Sequence, residues 1–568
     1  MQARWITPLP IDTHVAQELA EKLGLSFPIA EILLRRGYST IQNARAFLEP
    51  RLAALRPPEE IPNIGKAVDR LVTALERQEK IVLYGDYDVD GITSLALLCR
   101  SLRALGGCVD YFIPERASEG YGLSFLGLDR CFKLLEPSLL IAVDCGTNSW
   151  KEALWIRKQG VDLMIVDHHL LEKKEHPPTD WILVNPQLGF SSHSLCSVGL
   201  VFKLIHALLK RSPESSFDLR HYLDLVALGT VADLVPLTEE NRIFVTHGLK
   251  QLAQSKWLGI RTLMELLDLK KPITTMDIGY KIGPRLNAAG RLNSALESLE
   301  LLMTEDPREA IRIAQHLDHR NRERQVIERA LNLEAEEIVT SQMVISSPRS
   351  IVLGRSHWHH GVVGIVASRI SKRWHRPTLI IGFNEEGLGK GSGRSIEGFS
   401  LVEVLSQCAP YLESFGGHAM AAGLTLKKEN LELFSKKFEE LTASLLTEEQ
   451  LIPSIRVDAE INLSQFDPSW LLDQERLGPF GIGNKQPLFL ARSLEPVKEP
   501  RILKEKHFLF QFAGKKQSPL PAIFFHGALD PLPEPPWDMA FTFEWNHYQG
   551  KKSVQLQVAA IRSACLES

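Results

Sequence analysis

The sequence predicts an α/β protein of several domains: a parallel-sheet domain and a second α/β domain joined by a long helix, followed by a C-terminal antiparallel β-barrel of OB type. Three observations carry this prediction. Short apolar runs alternate with helical patterns from Lys80 to Leu237, and the stretch from Asp306 to Gln342 is helical with few breakers. From Ile452 onward the pattern changes to short runs in which apolar and polar residues alternate.

Residues 1–55 contain two amphipathic pieces, LAEKLG and AEILLRRG, and are expected to form a helical cap. Residues 56–305 form the first α/β domain. Its runs KIVLYGD, SLLIAVDCG and LMIVDHH read as strands, with SLALLCRSLRAL as a helix, and that alternation builds a parallel sheet. Residues 306–342 carry LDHRNRERQVIERALNLEAEEIV, whose charges fall at i, i+4 spacing, as on a polar-faced helix bridging two domains. Residues 343–446 hold a second α/β pattern, RSIVLG, GIVASRISKRW and PTLIIGF, and then a glycine-rich segment. In residues 452–568, HFLFQF, AIFFHG, AFTFEW and VQLQV are separated by Gly, Pro or Lys turns, as in a small barrel.

Composition excludes some classes. A chain of 568 residues is no single small binding module, and 44% hydrophobic with 24% charged residues is not the composition of a disordered or fibrous protein. Met1–Pro10 lacks a basic segment followed by an apolar core, and no apolar run approaches about 18 residues, so the expectation is a soluble, cytoplasmic protein without a membrane span. Seven cysteines without a CxxC pair fit reduced thiols and no zinc cage; Cys145 is expected to be a small buried residue. A net charge of −4 argues against a uniformly basic nucleic-acid coat but leaves room for a local basic groove. Between Lys485 and Lys516 eight Lys or Arg face three Glu; a solvated hairpin face and a nucleic-acid contact both fit this stretch.

Acidic clusters sit just past the predicted strands: Asp86, Asp88 and Asp90 in LYGDYDVDG, Asp144 in IAVDCG, and Asp167, His168 and His169 in MIVDHH. Strand C-termini of a parallel sheet line one crevice, so these groups converge although they are far apart in sequence. Asp233 in ALGTVADLVPL follows a helical run and can reach the same crevice. A lone Asp after a strand is usually a turn residue or helix cap, but several in register are not. Carboxylates with imidazoles and no thiolate suit Mn2+ or Mg2+, and so many acids together repel unless cations neutralise them.

DYDVDG, VDCG, DHH and GTVADLVPL resemble, in order and spacing, the four motifs of the DHH phosphoesterases. The resemblance implies two divalent ions sharing Asp144, with Asp88 a ligand of one ion and Asp90, His168 and Asp233 ligands of the other. Many members carry a histidine four positions before Asp88, where this chain has Tyr84; Asp86 or His169 would then help the first ion. Two ions about 3.5–4 Å apart activate a water for in-line attack on a phosphodiester without a protein nucleophile. His169 is expected to bond the phosphate or the leaving oxygen, or else to orient a ligand.

Metal motifs alone fit a phosphodiesterase of short oligonucleotides or cyclic dinucleotides as well as a nuclease. The accessory segments select between them. IPERASEGYGLS couples Arg116 with Tyr121, a guanidinium to fork a phosphate and a ring to stack on a base. GKGSGRS sets Ser392 and Arg394 among glycines, and FGGHAMAAG adds His418, a pattern similar to the DHH-associated domain, whose glycine-rich loops face the metal crevice. IGPRLNAAGRLN, with Arg285, Asn287 and Arg291, and GPFGIGNKQP are similar to segments of the RecJ branch of the family. Phe508, Phe510, Trp545 and Tyr548 are candidate stacking residues of the barrel, about half of them core by strand alternation. HWHHGVVGIVASRI reads as a helix start whose histidines bond nearby backbone, with no carboxylate beside them.

The resemblance spans roughly residues 55 to 560. It implies a 5′-to-3′ exonuclease on single-stranded DNA, serving DNA repair and recombination with two Mn2+ or Mg2+ ions. It further implies a monomer, with a helicase and a single-strand-binding protein as partners. The alternatives are the small-substrate phosphodiesterase, which predicts activity without residues 452–568, and a catalytically silent scaffold, which predicts no response to divalent ions.

Overall fold

The computed structural model of the chain describes residues 3–115, 118–120, 122–171, 181–189, 194–211, 216–292, 295–514, 519–529, 531–548 and 551–564. Five parallel strands form the first sheet, in the spatial order Cys108–Phe112, Lys80–Gly85, Leu139–Val143, Asp162–Val166, Ile182–Val184. They are continuously apolar because both faces are covered. Ile81, Leu83, Ile141 and Val143 join one core with the helices Val89–Ala104, Ser197–Arg211 and Leu223–Ala232, while Val82, Tyr84, Leu140 and Ala142 join a smaller core on the other face. The chain passes from Lys80–Gly85 to the strand on one side and then returns to Leu139–Val143 on the other. That reversal opens a crevice at the strands' carboxyl ends, where Asp86 and Asp144 follow directly.

The bridging helix runs Pro307–Ile345, three residues past the expected end, with Asp306 capping the Arg308 N–H and proline in its first turn. Ala310, Ile313, Ala314 and Leu317 lie in the core of the first domain, whereas Leu331, Ala335 and Val339 pack with Val362, Val366 and Ile380 of the second. One helix therefore contributes to two cores and acts as a strut between them. The second sheet has the order Ser414–Gly417, Ala421–Lys427, Leu388–Arg394, Thr378–Phe383, Ile351–Arg355, antiparallel except for its last pair.

The C-terminal sheet has seven mostly antiparallel strands, built around the long hairpin Trp537–Tyr548 and Lys551–Ser563. The helices Thr13–Leu23, Phe27–Arg35 and Ile41–Leu48 do not form a core of their own. Leu19, Ile29 and Phe47 share one with Ala459, Leu471, Leu477 and Phe489, and the strand Arg4–Ile6 pairs with Ser454–Arg456. Removing residues 452–568 would strip the apolar cover from the cap, so this cut does not separate folding from activity as the sequence alone led us to expect.

Arg242 holds the junction of these parts. Its guanidinium is buried over the Phe47 ring, 3.7 Å from the centroid, and donates to the carbonyls of Phe47 (2.8 Å) and Leu477 (2.9 Å). Burial lowers its pKa to about 10, still charged at neutral pH. Arg242→Ala leaves buried carbonyls without donors at about 1–3 kcal/mol each. It should lower the urea midpoint of the folded chain, and Arg242→Lys should not restore it, because one ammonium cannot reproduce the fork. A midpoint equal to wild type for Arg242→Ala would show that the junction is held elsewhere.

Candidate metal centre and cleft

Each acid is fixed by local backbone chemistry. Asp88 caps the helix Val89–Ala104, its Oδ1 accepting the N–H groups of Asp90 (2.9 Å) and Gly91 (3.1 Å). Asp90, one turn in, reaches across to the helix that starts at Ser197 and accepts the N–H groups of Ser197 (2.7 Å) and Val198 (2.9 Å), where a helix favours negative charge. This approach needs Gly229, because a Cβ there would lie 2.8 Å from Asp90 Oδ1. Asp144 adopts φ 62°, a conformation that Asp and Asn tolerate better than most residues, and accepts from Ser197 Oγ at 2.8 Å. Asp233 ends the helix Leu223–Ala232.

Asp167 does different work. One oxygen accepts the N–H groups of His168 and His169 and lies 2.7 Å from His169 Nδ1; the other accepts the Thr147 N–H at 3.0 Å. Burial alone would raise its pKa, but the bond to His169 and that ring's charge outweigh it and hold the carboxyl well below its usual range. Burial opposes protonation of His169 too, yet Asp167 carries that pKa up to about 9, so His169 is cationic at neutral pH. Asn185 braces the turn, donating to Thr147 Oγ1 and to the His169 carbonyl, both at 2.9 Å.

The acids converge as the strand ends predict. Ligand atoms of Asp86, Asp88 and Asp144 lie within 4.8 Å of one another, as do those of Asp90, His168 and Asp233, and those of Asp144, Asp167, His168 and His169. His168 Nε2 is buried without a hydrogen-bond partner, 3.4 Å from Asp144 Oδ1, 3.6 Å from Asp233 Oδ2 and 3.9 Å from Asp90 Oδ2. These separations are too long for hydrogen bonds and fit donors around a cation that sits about 2.0–2.2 Å from each. Burial, with the charge of His169, lowers His168 to about 4, leaving its ring neutral as a ligand must be. Burial raises the acids, with Asp88 next for Asp90 (to about 7) and Asp90 next for Asp233 (to about 8), while Asp144 rises well above its usual value. The donor set fits two hard divalent ions.

Tyr84 points away from this centre. It is buried against Phe112, ring centroids 5.2 Å apart, and its hydroxyl donates to the Gly122 carbonyl at 3.1 Å, so it fills the smaller core. Asp86, in the same cluster as Asp88 and Asp144, stands nearer the place the missing histidine would serve. Cys145 is buried, as expected.

Next to the loop of Asp86 and Asp88, where a Cβ at Gly290 would lie 2.8 Å from the Tyr87 carbonyl, is a cleft of about 950 Å3, lined by Gly290 and Glu115 of the first domain and by Ser392, Arg394 and Gly423 of the second sheet. Arg394 donates to Ser392 Oγ (3.1 Å) and to the Gly393 carbonyl (2.7 Å); burial lowers its pKa, and among the described residues it has no carboxylate partner. His418 tips the adjoining hairpin. His359 and His360 line the cleft.

Other expectations fare differently. Arg285 is committed to the bridging helix through Asp318 (2.9 Å) and to the Lys281 carbonyl, and Asn287 is half-buried. Arg116, Tyr121 and the side chains of Arg291 and Tyr548 lie outside the described residues. Phe508 and Phe510 are core, whereas Trp545 is half-exposed with Lys552 Nζ 4.0 Å above its ring. A carboxylate does accompany the histidines at the second helix start, since His357 bonds Glu334 of the bridging helix at 2.8 Å. Sequence reasoning missed Ser197 and Asn185; a serine opening a helix in LCSVGL was the one signal for the former.

The chelated protein should lose stability between pH 6.5 and 9. Asp90, Asp233 and His169 all have raised pKa values in the fold, so the folded state holds more protons than the unfolded chain, and that stability is lost as pH rises through about 7, 8 and 9. The opposing contribution of His168, lowered from 6.5 to about 4, continues only until the unfolded chain's imidazole is fully deprotonated, about one pH unit into this window. Melting temperature should fall from pH 6.5 to 9 in chelator, and Mn2+ should raise it more at pH 9. A chelated melting temperature that is flat or rising would contradict the charge balance described.

The family models that match are the DHH family N-terminal domain over residues 80–230, the DHHA1 domain over 340–444 and the RecJ OB domain over 457–560. The single-stranded-DNA-specific exonuclease RecJ of Bacillus subtilis is 38% identical over 507 residues, 87% of this chain and 62% of that protein. RecJ of Haemophilus influenzae is 36% identical over 94% of this chain and 95% of its own length. The crystal structure of RecJ from Thermus thermophilus in complex with Mn2+ superposes with a TM-score of 0.84 at 29% identity, over 99% of this chain and 79% of that one. With its three domains in the same order and a relative matched almost end to end, the chain belongs to the RecJ family of single-stranded-DNA-specific exonucleases.

Proposed function

We propose that the chain is a metal-dependent exonuclease that hydrolyses single-stranded DNA from its 5′ end. The observation that carries this reading is His168 Nε2, buried with no hydrogen-bond partner among the described residues and ringed by Asp90, Asp144 and Asp233, in a domain that borders the cleft holding Arg394. Asp86, Asp88 and Asp144 would hold one divalent ion and Asp90, Asp144, His168 and Asp233 the other. Mn2+ or Mg2+ supplies Lewis acidity there, activating a water and stabilising charge on the phosphoryl oxygens.

The chain's own residues do the rest. Ser197 fixes the Asp144 carboxylate by donating to Oδ1, the same oxygen that lies 3.4 Å from His168 Nε2. His169, kept cationic by Asp167, adds positive charge beside the phosphate and can pass a proton to the departing oxygen. Arg394 and Ser392 hold a terminal phosphate, with Arg116 and Tyr121 assigned to the same end and Asn287, Arg291 and His418 to the strand path. Trp545 with Lys552 offers a ring and a charge to the strand farther on. A nuclease restricted to single strands needs partners that expose them, which makes a helicase and a single-strand-binding protein the expected ones; we place it in the cytoplasm as a monomer.

Asp144→Asn removes the shared charge without straining the φ 62° backbone, so hydrolysis should fall below detection while the melting temperature in chelator holds or rises. Substantial activity in that variant would remove Asp144 from its role. Losing the Arg394 guanidinium removes a charge-assisted contact of about 1.5–3 kcal/mol, or roughly 10- to 150-fold. Arg394→Ala should show that loss on 5′-phosphoryl strands and little on 5′-hydroxyl strands, read from end-labelled oligonucleotides. Equal losses on both ends would assign Arg394 to an internal phosphate or to the fold.

A further inference from the structure

The cleft continues past the pocket assigned to the terminal phosphate, and we infer that its far end is a subsite for further phosphoryl groups. The enzyme would then accept strands ending in a 5′ di- or triphosphate and release the first nucleotide with that chain intact. The inference rests on the reading of Arg394 and Ser392 given above.

Strand register gives the geometry. In Leu388–Arg394 alternate residues share a face, so Arg394, Ser392 and Lys390 project together, each pair about 6.6–6.8 Å apart along the strand. Opposite them in register stand Ala421, Gly423 and Thr425, and beyond these Gly416 and Ser414. On that face nothing larger than threonine stands on those two strands. The Arg394 end adjoins the hairpin tip at His418, and Lys390 lies four residues farther back along the strand.

The far end has the chemistry of an anion site. No ion pair of Lys390 occurs among the described residues, although the side chain lines the cleft. Asn384 is spent on its own turn, bonding Leu388 N–H and Glu386, so Lys390 is the deciding cation. Phe415, opposite Leu424 on the edge strand, is 37% exposed and lines the cleft beside this subsite, so it offers a ring but no charge to the phosphoryl chain. The cleft of about 950 Å3 is at the upper end of the roughly 300–1,000 Å3 of sites that enclose a drug-sized ligand, far more than one phosphate requires.

The reaction balances without a co-reactant beyond water. Water's oxygen bonds the phosphorus between the first and second nucleotides, the bond to the first nucleotide's 3′ oxygen breaks, and that oxygen takes a proton. The products are a nucleoside 5′-triphosphate and a strand with a new 5′ phosphate, so the far subsite is used only in the first turnover. The reaction class that supplies such ends is strand synthesis begun from a nucleoside triphosphate.

The test compares matched single strands bearing 5′ triphosphate, monophosphate or hydroxyl, cut by wild type, Lys390→Ala and Lys390→Arg, with products resolved by anion exchange. Wild type should release nucleoside triphosphate at a rate within about threefold of monophosphate release. Lys390→Ala should slow the triphosphate strand roughly 10-fold or more and the monophosphate strand less than about twofold, with Lys390→Arg close to wild type. Equal slowing of both strands, refusal of the triphosphate end by wild type, or its release on a dinucleotide would each overturn the subsite. If wild type cuts none of the three, the nuclease reading fails and the subsite with it; if it cuts the monophosphate strand alone, only the subsite fails.

Discussion

The structure depends on how buried negative charge is tolerated at one point of a parallel sheet. Asp86, Asp90, Asp144 and Asp167 are each at most 3% exposed, and carboxylates so placed raise one another's pKa until something offsets them. The protein offsets part of this charge itself. The N-terminal N–H groups of the helix starting at Ser197 take up Asp90, the Ser197 hydroxyl takes Asp144, and a cationic His169 takes Asp167. What is left uncompensated among the described residues is the space around His168 Nε2, and that remainder is where the proposed metal centre sits.

The same constraint explains which residues around the acids cannot vary freely. Gly229 brings one helix against Asp90, and a Cβ at Gly91 would lie 2.5 Å from the Asp86 carbonyl, so the loop and helix close on each other only with glycine there. Tyr84, by contrast, faces the smaller core because its neighbour Leu83 faces the large one, and the strand ends at Gly85, so Asp86 two residues on is not bound to the same face. A sequence neighbour of a site is not a member of it.

This also marks how far the sequence can be read. Strand-then-acid repeats made the first sheet and its crevice legible, because a parallel sheet puts every strand's carboxyl end on one edge. The bridging helix was legible through its uninterrupted charges. The docking of the N-terminal helices onto the C-terminal sheet was not, since Leu19 and Phe489 meet through a core that no local pattern announces. Nor were the partners of single side chains. Arg285 looked free for a strand but meets Asp318, and His357 looked unaccompanied but meets Glu334, in both cases because the bridging helix passes by.

That helix makes the two halves of the site one instrument. The cleft lies between the first domain, at Glu115 and Gly290, and the second, at Arg394, so a cationic side chain stands in it despite a net charge of −4: the field that matters is local. The spacing between the walls is set by a continuous helix whose two ends are buried in different cores. Midway, Glu328 is buried between Arg324 of the same helix and Arg369 of the second domain, a three-residue charge cluster that would be costly to pull apart. A loop in that place would let Arg394 drift relative to the acids. With a strut, the distance between them is a constant of the fold, and under the proposed reading the length and packing of one helix, rather than the chemistry of the metal centre, would fix how far from a held 5′ phosphate the strand is cut.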